Sequence, residues 1–234
     1  MSGALAPAPF REEPLGLRLT VGRAEFLFTK ASAGDFAAAA EADFESVELA
    51  SGIALADWAQ AEQVHGTNVT VIDGDQQPEP YSTPADGQAT SRSGILCAVR
   101  TADCLPVLLG DGNAVGALHA GWRGLVAGVL DSGVAALHRL AADELVAVIG
   151  PGARGCCYEV SGEMLDTFAE YPAALTNANN LDLAVVASAQ LEAAGVGTIY
   201  DCGICTICSS PEDFFSYRRD RGDTGRMLGA TWLS

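Results

Sequence analysis

Apolar and polar positions alternate through residues 15–28, where LRLTV and EFLF predict two strands joined by a turn at Gly22. The Ala- and acid-rich run 35–49 predicts a helix. Residues 58–73 read as two short strands broken at His65-Gly66, and the Pro/Asp/Gln-rich run 74–87 reads as a loop. Between residues 94 and 120 the runs ILCAV, LPVLL and AVGALHA predict buried strands, the last two joined by the turn Asp111-Gly112-Asn113. Val126, Val129, Leu130, Val134 and Leu137 then fall at helical spacing over 125–140, with His138 and Arg139 where positive charge suits the helix dipole. A strand is expected over 144–149. Ser161 is placed to cap a helix through GEMLDTFAEY, and 182–194 predicts a helix closed by Gly195. Residues 198–200, 214–217 and 227–233 read as further short strands. The Pro/Ala-rich residues 1–14 are expected to fray. No repeat or linker divides the rest, so 15–234 reads as one domain.

The 234 residues are 49% apolar, enough for a substantial core. Thirteen basic against thirty acidic side chains leave a net charge of −17. That balance excludes a broad electrostatic hold on nucleic acid or on an anionic membrane surface. A small anion can still bind, but only where a local arginine overrides the global field. The N-terminus has neither the basic nor the apolar segment of a signal peptide, and no apolar run approaches a membrane span. The expectation is a soluble, cytoplasmic protein with no obligate protein partner. Seven cysteines without an export signal point to free thiols, metal ligands or a catalytic thiolate before disulfides.

Two of the three histidines sit in glycine-flanked, turn-like contexts: His65 in QVHGT and His119 in LHAGWRG. Cys104, in TADCLPVLL, precedes His119 by fifteen residues. A strand, a tight turn and a returning strand would bring the two together. Two imidazoles and a thiolate suit a three-ligand zinc site with a fourth position open. The alternative is a packed core thiol and two locally bonded histidines. Asp103, beside Cys104, is a candidate acid or a carboxylate orienting a histidine ligand. Arg123 stands four residues after His119 and would border the same pocket. In FFSYRRDRGDTGR, one or two of Arg218, Arg219 and Arg226 can turn inward to a phosphate or carboxylate, or all can lie in a solvated loop. His138 has no ligand partner at useful spacing. Cys202, Cys205 and Cys208 form a double C-x-x-C that can hold zinc or an iron–sulfur site, but no fourth ligand is near, and Cys156-Cys157 is far away in sequence.

QVHG, ADGQATSRSGILCAVRTADCLPVLL, LHAGWRGL, IGP…CCYEV and CT…FFSYRRD…TGR occur in this order. Together they resemble the laccase-domain family, once called multicopper polyphenol oxidases and now associated with purine nucleoside phosphorylase activity. The resemblance spans roughly residues 58–234. It implies an α+β fold, a four-layer α/β/β/α sandwich with two mixed sheets inside. It also implies a zinc ion at His65, Cys104 and His119, and phosphorolysis of adenosine, inosine and methylthioadenosine together with adenosine deamination. The substrates would be a nucleoside and phosphate, with Arg123 and Arg218 as binding residues and Cys104, His119 and Asp103 as the catalytic set. The family's Arg-Gly-Gly loop and Asn-Leu motif have no counterpart in FTKASAGDFAAAAEAD. A laccase needs more histidines than the one left over, although a single adventitious copper could occupy the same ligands. Two other readings remain: a cysteine hydrolase with Cys104 as nucleophile and His119 as base, which the fold's similarity to the cytotoxic necrotizing factors suggests, and a non-catalytic zinc-binding module.

Overall fold

A computed structural model describes residues 7–37, 41–177 and 179–234. Strand β1 (Arg11–Glu13) pairs antiparallel with β2 (Gly16–Val21). The fraying expected of residues 1–14 therefore does not extend to 11–13, and residues 1–6 lie outside the described residues. Gly22, at φ 58°, turns β2 into β3 (Ala24–Thr29). Helix α1 (Glu41–Ser51) fills the later part of the helix expected over 35–49, of which residues 38–40 are outside the described residues. Next come β4 (Trp58–Ala59), β5 (Val69–Ile72), β6 (Gly87–Thr90), β7 (Leu96–Thr101), β8 (Leu105–Gly110) and β9 (Val115–Ala120).

The helix expected over 125–140 is two helices, α2 (Trp122–Ala127) and α3 (Val129–Arg139). Gly128 separates them because its left-handed conformation, φ 92°, closes α2. The chain continues through β10 (Val146–Ile149), α4 (Gly162–Thr167), the two-residue strands β11 (Leu175–Thr176) and β12 (Asn180–Leu181), α5 (Leu183–Ala193), β13 (Thr198–Asp201) and β14 (Met227–Leu233). The Ser161 side chain caps α4 as expected, and Asp182, expected only as the first residue of its helix, caps α5. Residues 214–216 are irregular and Tyr217 begins a turn, where a strand is expected. Their carbonyls are taken by local partners: Phe214 accepts from Arg219 Nη2 at 3.0 Å, and Ser216 from the Asp220 amide at 3.0 Å.

Two six-stranded mixed sheets result, ordered β1-β2-β3-β14-β7-β4 and β13-β10-β8-β9-β6-β5. Phe26, Phe28 and Val99 of the first pack with Leu108, Val115 and Val148 of the second, so one core lies between the sheets. Phe44 and Val47 of α1 cover the outer face of the first sheet against Leu27, Leu96 and Trp232. On the other side Val134 and Leu137 of α3, with Leu183 and Val186 of α5, pack against Val107, Leu118 and Ala147. The expected α/β/β/α layering is present. The approach of α3 is close: a Cβ on Gly133 would sit 2.3 Å from Leu118 Cδ1. No helix among the described residues is long and apolar enough to cross a membrane.

Candidate active site

The β8–β9 hairpin does what the fifteen-residue spacing predicts. Leu105 pairs with Ala120 and Pro106 with His119, so Cys104 leaves one strand as Gly121 leaves the other. The loop before β5 brings His65 to the same end. The ligand-capable atoms of His65, Cys104 and His119 all lie within 4.8 Å of one another, and the two rings meet edge-on with centroids 4.8 Å apart.

A residue outside the predicted set organises this group. Asp86, immediately before β6, is fully buried. Its Oδ1 accepts from His119 Nδ1 at 2.8 Å and from the His65 amide at 2.9 Å. Its Oδ2 accepts from the Val64 and Gly66 amides at 3.2 and 2.6 Å. With Nδ1 donating to a carboxylate, His119 presents Nε2 toward Cys104. The same carboxylate holds His65 in a left-handed conformation, φ 61°, which a non-glycine residue adopts at a cost of about 1–3 kcal/mol. Burial opposes ionisation of Asp86, but the His119 hydrogen bond and the Gly66 amide outweigh it and lower its pKa.

Asp103 does not orient a histidine. Its two oxygens accept from Thr206 Oγ1 and from the Arg218 amide, each at 2.6 Å, and so tie the C-terminal segment to the site. That corrects the ligand-orienting role considered for Asp103 and gives the role to Asp86. Burial pushes the Cys104 thiol up, but the charge and hydrogen bond of His119, followed by those of His65, hold it down at about 6. His119 is raised to about 9: burial opposes this, and the Cys104 thiolate and Asp86 prevail. A metal ion that displaces the His119 Nε2 proton would meet one soft anion and two imidazoles, a donor set suited to zinc or copper.

The group opens into a cleft of about 840 Å³. Four arginines line it, each over an aromatic ring: Arg100 over Tyr81, Arg123 over Trp122, Arg218 over Tyr158 and Arg226 over Tyr217, at 4.3 to 5.7 Å from the ring centroids. Among the described residues none of the four pairs with a carboxylate, whereas Arg18, Arg154 and Arg219 do. Arg219 points away from the cleft, with Nη1 on the carbonyls of Thr206 and Ser209. Arg123 and Arg218 stand where the sequence places them. Arg100 and Tyr158 are additions, since a lone arginine in a strand and a tyrosine after two cysteines carry no distinguishing pattern.

The family model described as multi-copper polyphenol oxidoreductase laccase matches residues 23–234. The chain belongs to that family. Purine nucleoside phosphorylase SCO2081 of Streptomyces coelicolor is 38% identical over 240 residues, covering 99% of this chain and 92% of its own. Purine nucleoside phosphorylase YfiH of Escherichia coli is 40% identical over 182 residues, covering 74% of this chain and 72% of its own. Crystal structures of YfiH from Bacillus licheniformis and YlmD from Geobacillus stearothermophilus superpose with TM-scores of 0.85 and 0.84. Each is 28% identical and covers 97% of this chain; the matches span 100% and 99% of those chains. Among the described residues no further histidine joins a metal-capable group, as the multi-copper part of the family's description would require. The third histidine, His138, sits on α3 with Nδ1 on the Ala142 carbonyl at 3.0 Å.

Within this laccase-family site Gly121 is a steric requirement. Its φ of −76° would suit any residue, but an added Cβ would lie 2.8 Å from Cys104 Sγ and 3.2 Å from His65 Cδ2. Gly121→Ala is expected to displace both side chains and lower the affinity for any metal held by His65, Cys104 and His119 roughly 10–100-fold, the range found when ligand orientation is disturbed. A metal-competition titration beside an unchanged far-ultraviolet circular dichroism spectrum checks this.

Proposed function

We propose that this chain is a metal-dependent purine nucleoside phosphorylase that also deaminates adenosine, with zinc held by His65, Cys104 and His119. One observation carries the reading: a His–Cys–His group opens into a cleft lined by four arginines that pair with no carboxylate among the described residues, in a protein of charge −17. The relatives named purine nucleoside phosphorylase support the substrate class. A closed metal-binding module would need a fourth protein ligand, and among the described residues the group has three. When bound, zinc supplies Lewis-acid polarisation to the attacking oxygen.

The chain's own residues do the rest. Arg123 and Arg218 hold the phosphate dianion, the forked guanidinium matching its oxygens. The Arg218 segment keeps its place because Asp103 accepts its backbone amide, so Asp103 is a positioning residue. Tyr158 lines the cleft, and its phenol is pushed up first by burial and then by the nearby Cys104 thiolate. It therefore stays protonated and can donate toward the departing base.

Product analysis on adenosine and inosine, with and without phosphate, tests the proposal. Phosphate-dependent release of free base with ribose-1-phosphate is the expected result. Inosine formed from adenosine regardless of phosphate is expected beside it. Inosine with no release of free base in the presence of phosphate would restrict the enzyme to deamination, and no change in either nucleoside would overturn the reading. The line Cys104–His119–Asp86 favours a second reading, a thiolate nucleophile with an oriented base. Full activity after complete metal removal would support it.

A further inference from the structure

Away from the cleft the remaining cysteines regroup in a way the C-x-x-C spacing does not indicate. Cys202 is buried in the core between the sheets and takes no part. Cys156, Cys157, Cys205 and Cys208 instead bring their Sγ atoms within 4.8 Å of one another. Two loops make this convergence. Gly152 and Cys205 form a parallel bridge, the Gly152 amide donates to the Ile204 carbonyl at 3.2 Å, and the Thr206 amide donates to the Gly152 carbonyl at 3.0 Å. The chain then turns, with the Cys157 and Tyr158 amides on the Arg154 carbonyl at 3.0 and 2.9 Å, and presents the vicinal pair to Cys205 and Cys208.

The spacing of the sulfurs identifies what would fill the group. Cys156 and Cys208 have Sγ atoms 3.7 Å apart, and all four thiols are free. A disulfide needs about 2.05 Å. A tetrahedral ion with metal–sulfur bonds of about 2.3 Å requires sulfur–sulfur edges of about 3.8 Å. Cys205 is the buried member of the group. Cys156 and Cys208 are exposed, so an ion can enter from solvent.

We propose that Cys156, Cys157, Cys205 and Cys208 form a second metal site, distinct from the cleft, that takes one zinc-class divalent ion in a four-thiolate shell. Four metal–sulfur bonds replace four S–H bonds, the protons leave to solvent, and no electron is transferred. A complete thiolate shell leaves no position open for substrate, so the site is structural. Its place in the fold says what it steadies. The loop bearing Cys156 and Cys157 continues into Tyr158 on the cleft wall. The loop bearing Cys205 and Cys208 holds Thr206, whose hydroxyl donates to Asp103 and whose carbonyl accepts from Arg219. The ion thus clasps the two loops behind the wall that carries Tyr158 and Arg218.

Metal counting on the full chain, purified under reducing conditions, loaded with zinc and desalted, tests the proposal. Wild type is expected to retain two equivalents. Cys156→Ser/Cys208→Ser, which removes one exposed ligand from each loop, and Cys104→Ala should each retain one. Should the cleft not bind metal, wild type and Cys104→Ala would each hold one and the serine variant none, so the two sites fail separately. Cobalt provides a readout that needs no change in the cluster: cobalt-loaded Cys104→Ala should show intense sulfur-to-metal charge transfer and a tetrahedral d–d spectrum. Chelation should lower the melting temperature of Cys104→Ala by several degrees. A serine variant with the wild-type metal count would overturn the proposal. So would a cobalt-loaded Cys104→Ala without thiolate bands, a metal-free mass short of two hydrogens, or iron accompanied by inorganic sulfide.

Discussion

Cys104→Ala is expected to abolish cleft metal binding and nucleoside turnover together, at a cost of only about 1–2 kcal/mol in stability. The thiolate is the softest ligand of the three and the only anion among them, kept ionised by His119 and His65 in spite of its burial. Its removal leaves two imidazoles, which together hold zinc far more weakly. The stability cost is small because only one sulfur is lost, at the end of a hairpin whose apolar side chains pack in both major cores. Three measurements on this one variant separate the readings. Loss of metal and turnover together supports the proposed enzyme. If Cys104 were the nucleophile of a hydrolase, turnover would vanish from a variant whose parent never held stoichiometric metal there. If it were only a packed thiol, stability would fall while turnover persisted.

Asp86→Asn should produce the second large effect, on stability and metal affinity at once. The substitution preserves volume, but one carboxylate oxygen becomes an NH₂ group among amides that already donate. Oδ1 serves His119 and the His65 amide, and Oδ2 serves Val64 and Gly66, so either orientation of the amide turns a donor against donors. Hydrogen bonds to a charged group contribute about 1.5–3 kcal/mol each, and an unpaired buried donor costs about 1–3 kcal/mol. A loss of about 2–4 kcal/mol is therefore expected. For a chain of this size that lowers the melting temperature by roughly 5–12 °C. Zinc affinity should fall roughly 10–100-fold, because His119 loses the partner that fixes its tautomer. Thermal melts with and without metal, beside a competition titration, check both. Loss of stability with unchanged affinity would mean that Asp86 braces the His65 loop without directing His119.

The parts of this site that could be read in advance lie on short-range structure. Cys104 and His119 flank a hairpin whose turn, Asp111-Gly112-Asn113, announces itself: Asp111 Oδ1 accepts the Asn113 and Ala114 amides at 2.7 and 2.9 Å. Once that turn is recognised, the register follows from counting. Asp86 sits in a stretch read as loop, and its partners are backbone amides 20 to 22 residues away and a side chain 33 residues away. Backbone donors have no residue identity, so nothing in the letters marks a carboxylate that four N–H groups surround. FFSY misled for the opposite reason. Its aromatic content favours a strand, but Arg219 takes up the Phe214 carbonyl together with the Thr206 and Ser209 carbonyls and holds the segment as irregular chain leading into a turn.

The sequence by itself determined the alternation that builds two mixed sheets, the Ser161 cap of α4 and the Gly195 end of α5, and the His65, Cys104 and His119 set with Arg123 and Arg218 beside it. These are features of local period, turn chemistry and motif. Tertiary structure alone decided which carboxylate serves His119, where the helix after Trp122 breaks, and which cysteines meet. Cys157 and Cys205 are 48 residues apart, and a backbone bridge between loops joins them, whereas Cys202, three residues from Cys205, is carried into the core. The four cleft arginines come from β7, α2 and the segment before β14, and only the stacking of the sheets makes them one positive surface. Local period is written in neighbouring residues. Convergence of distant side chains is written only in the packing that the whole chain must satisfy.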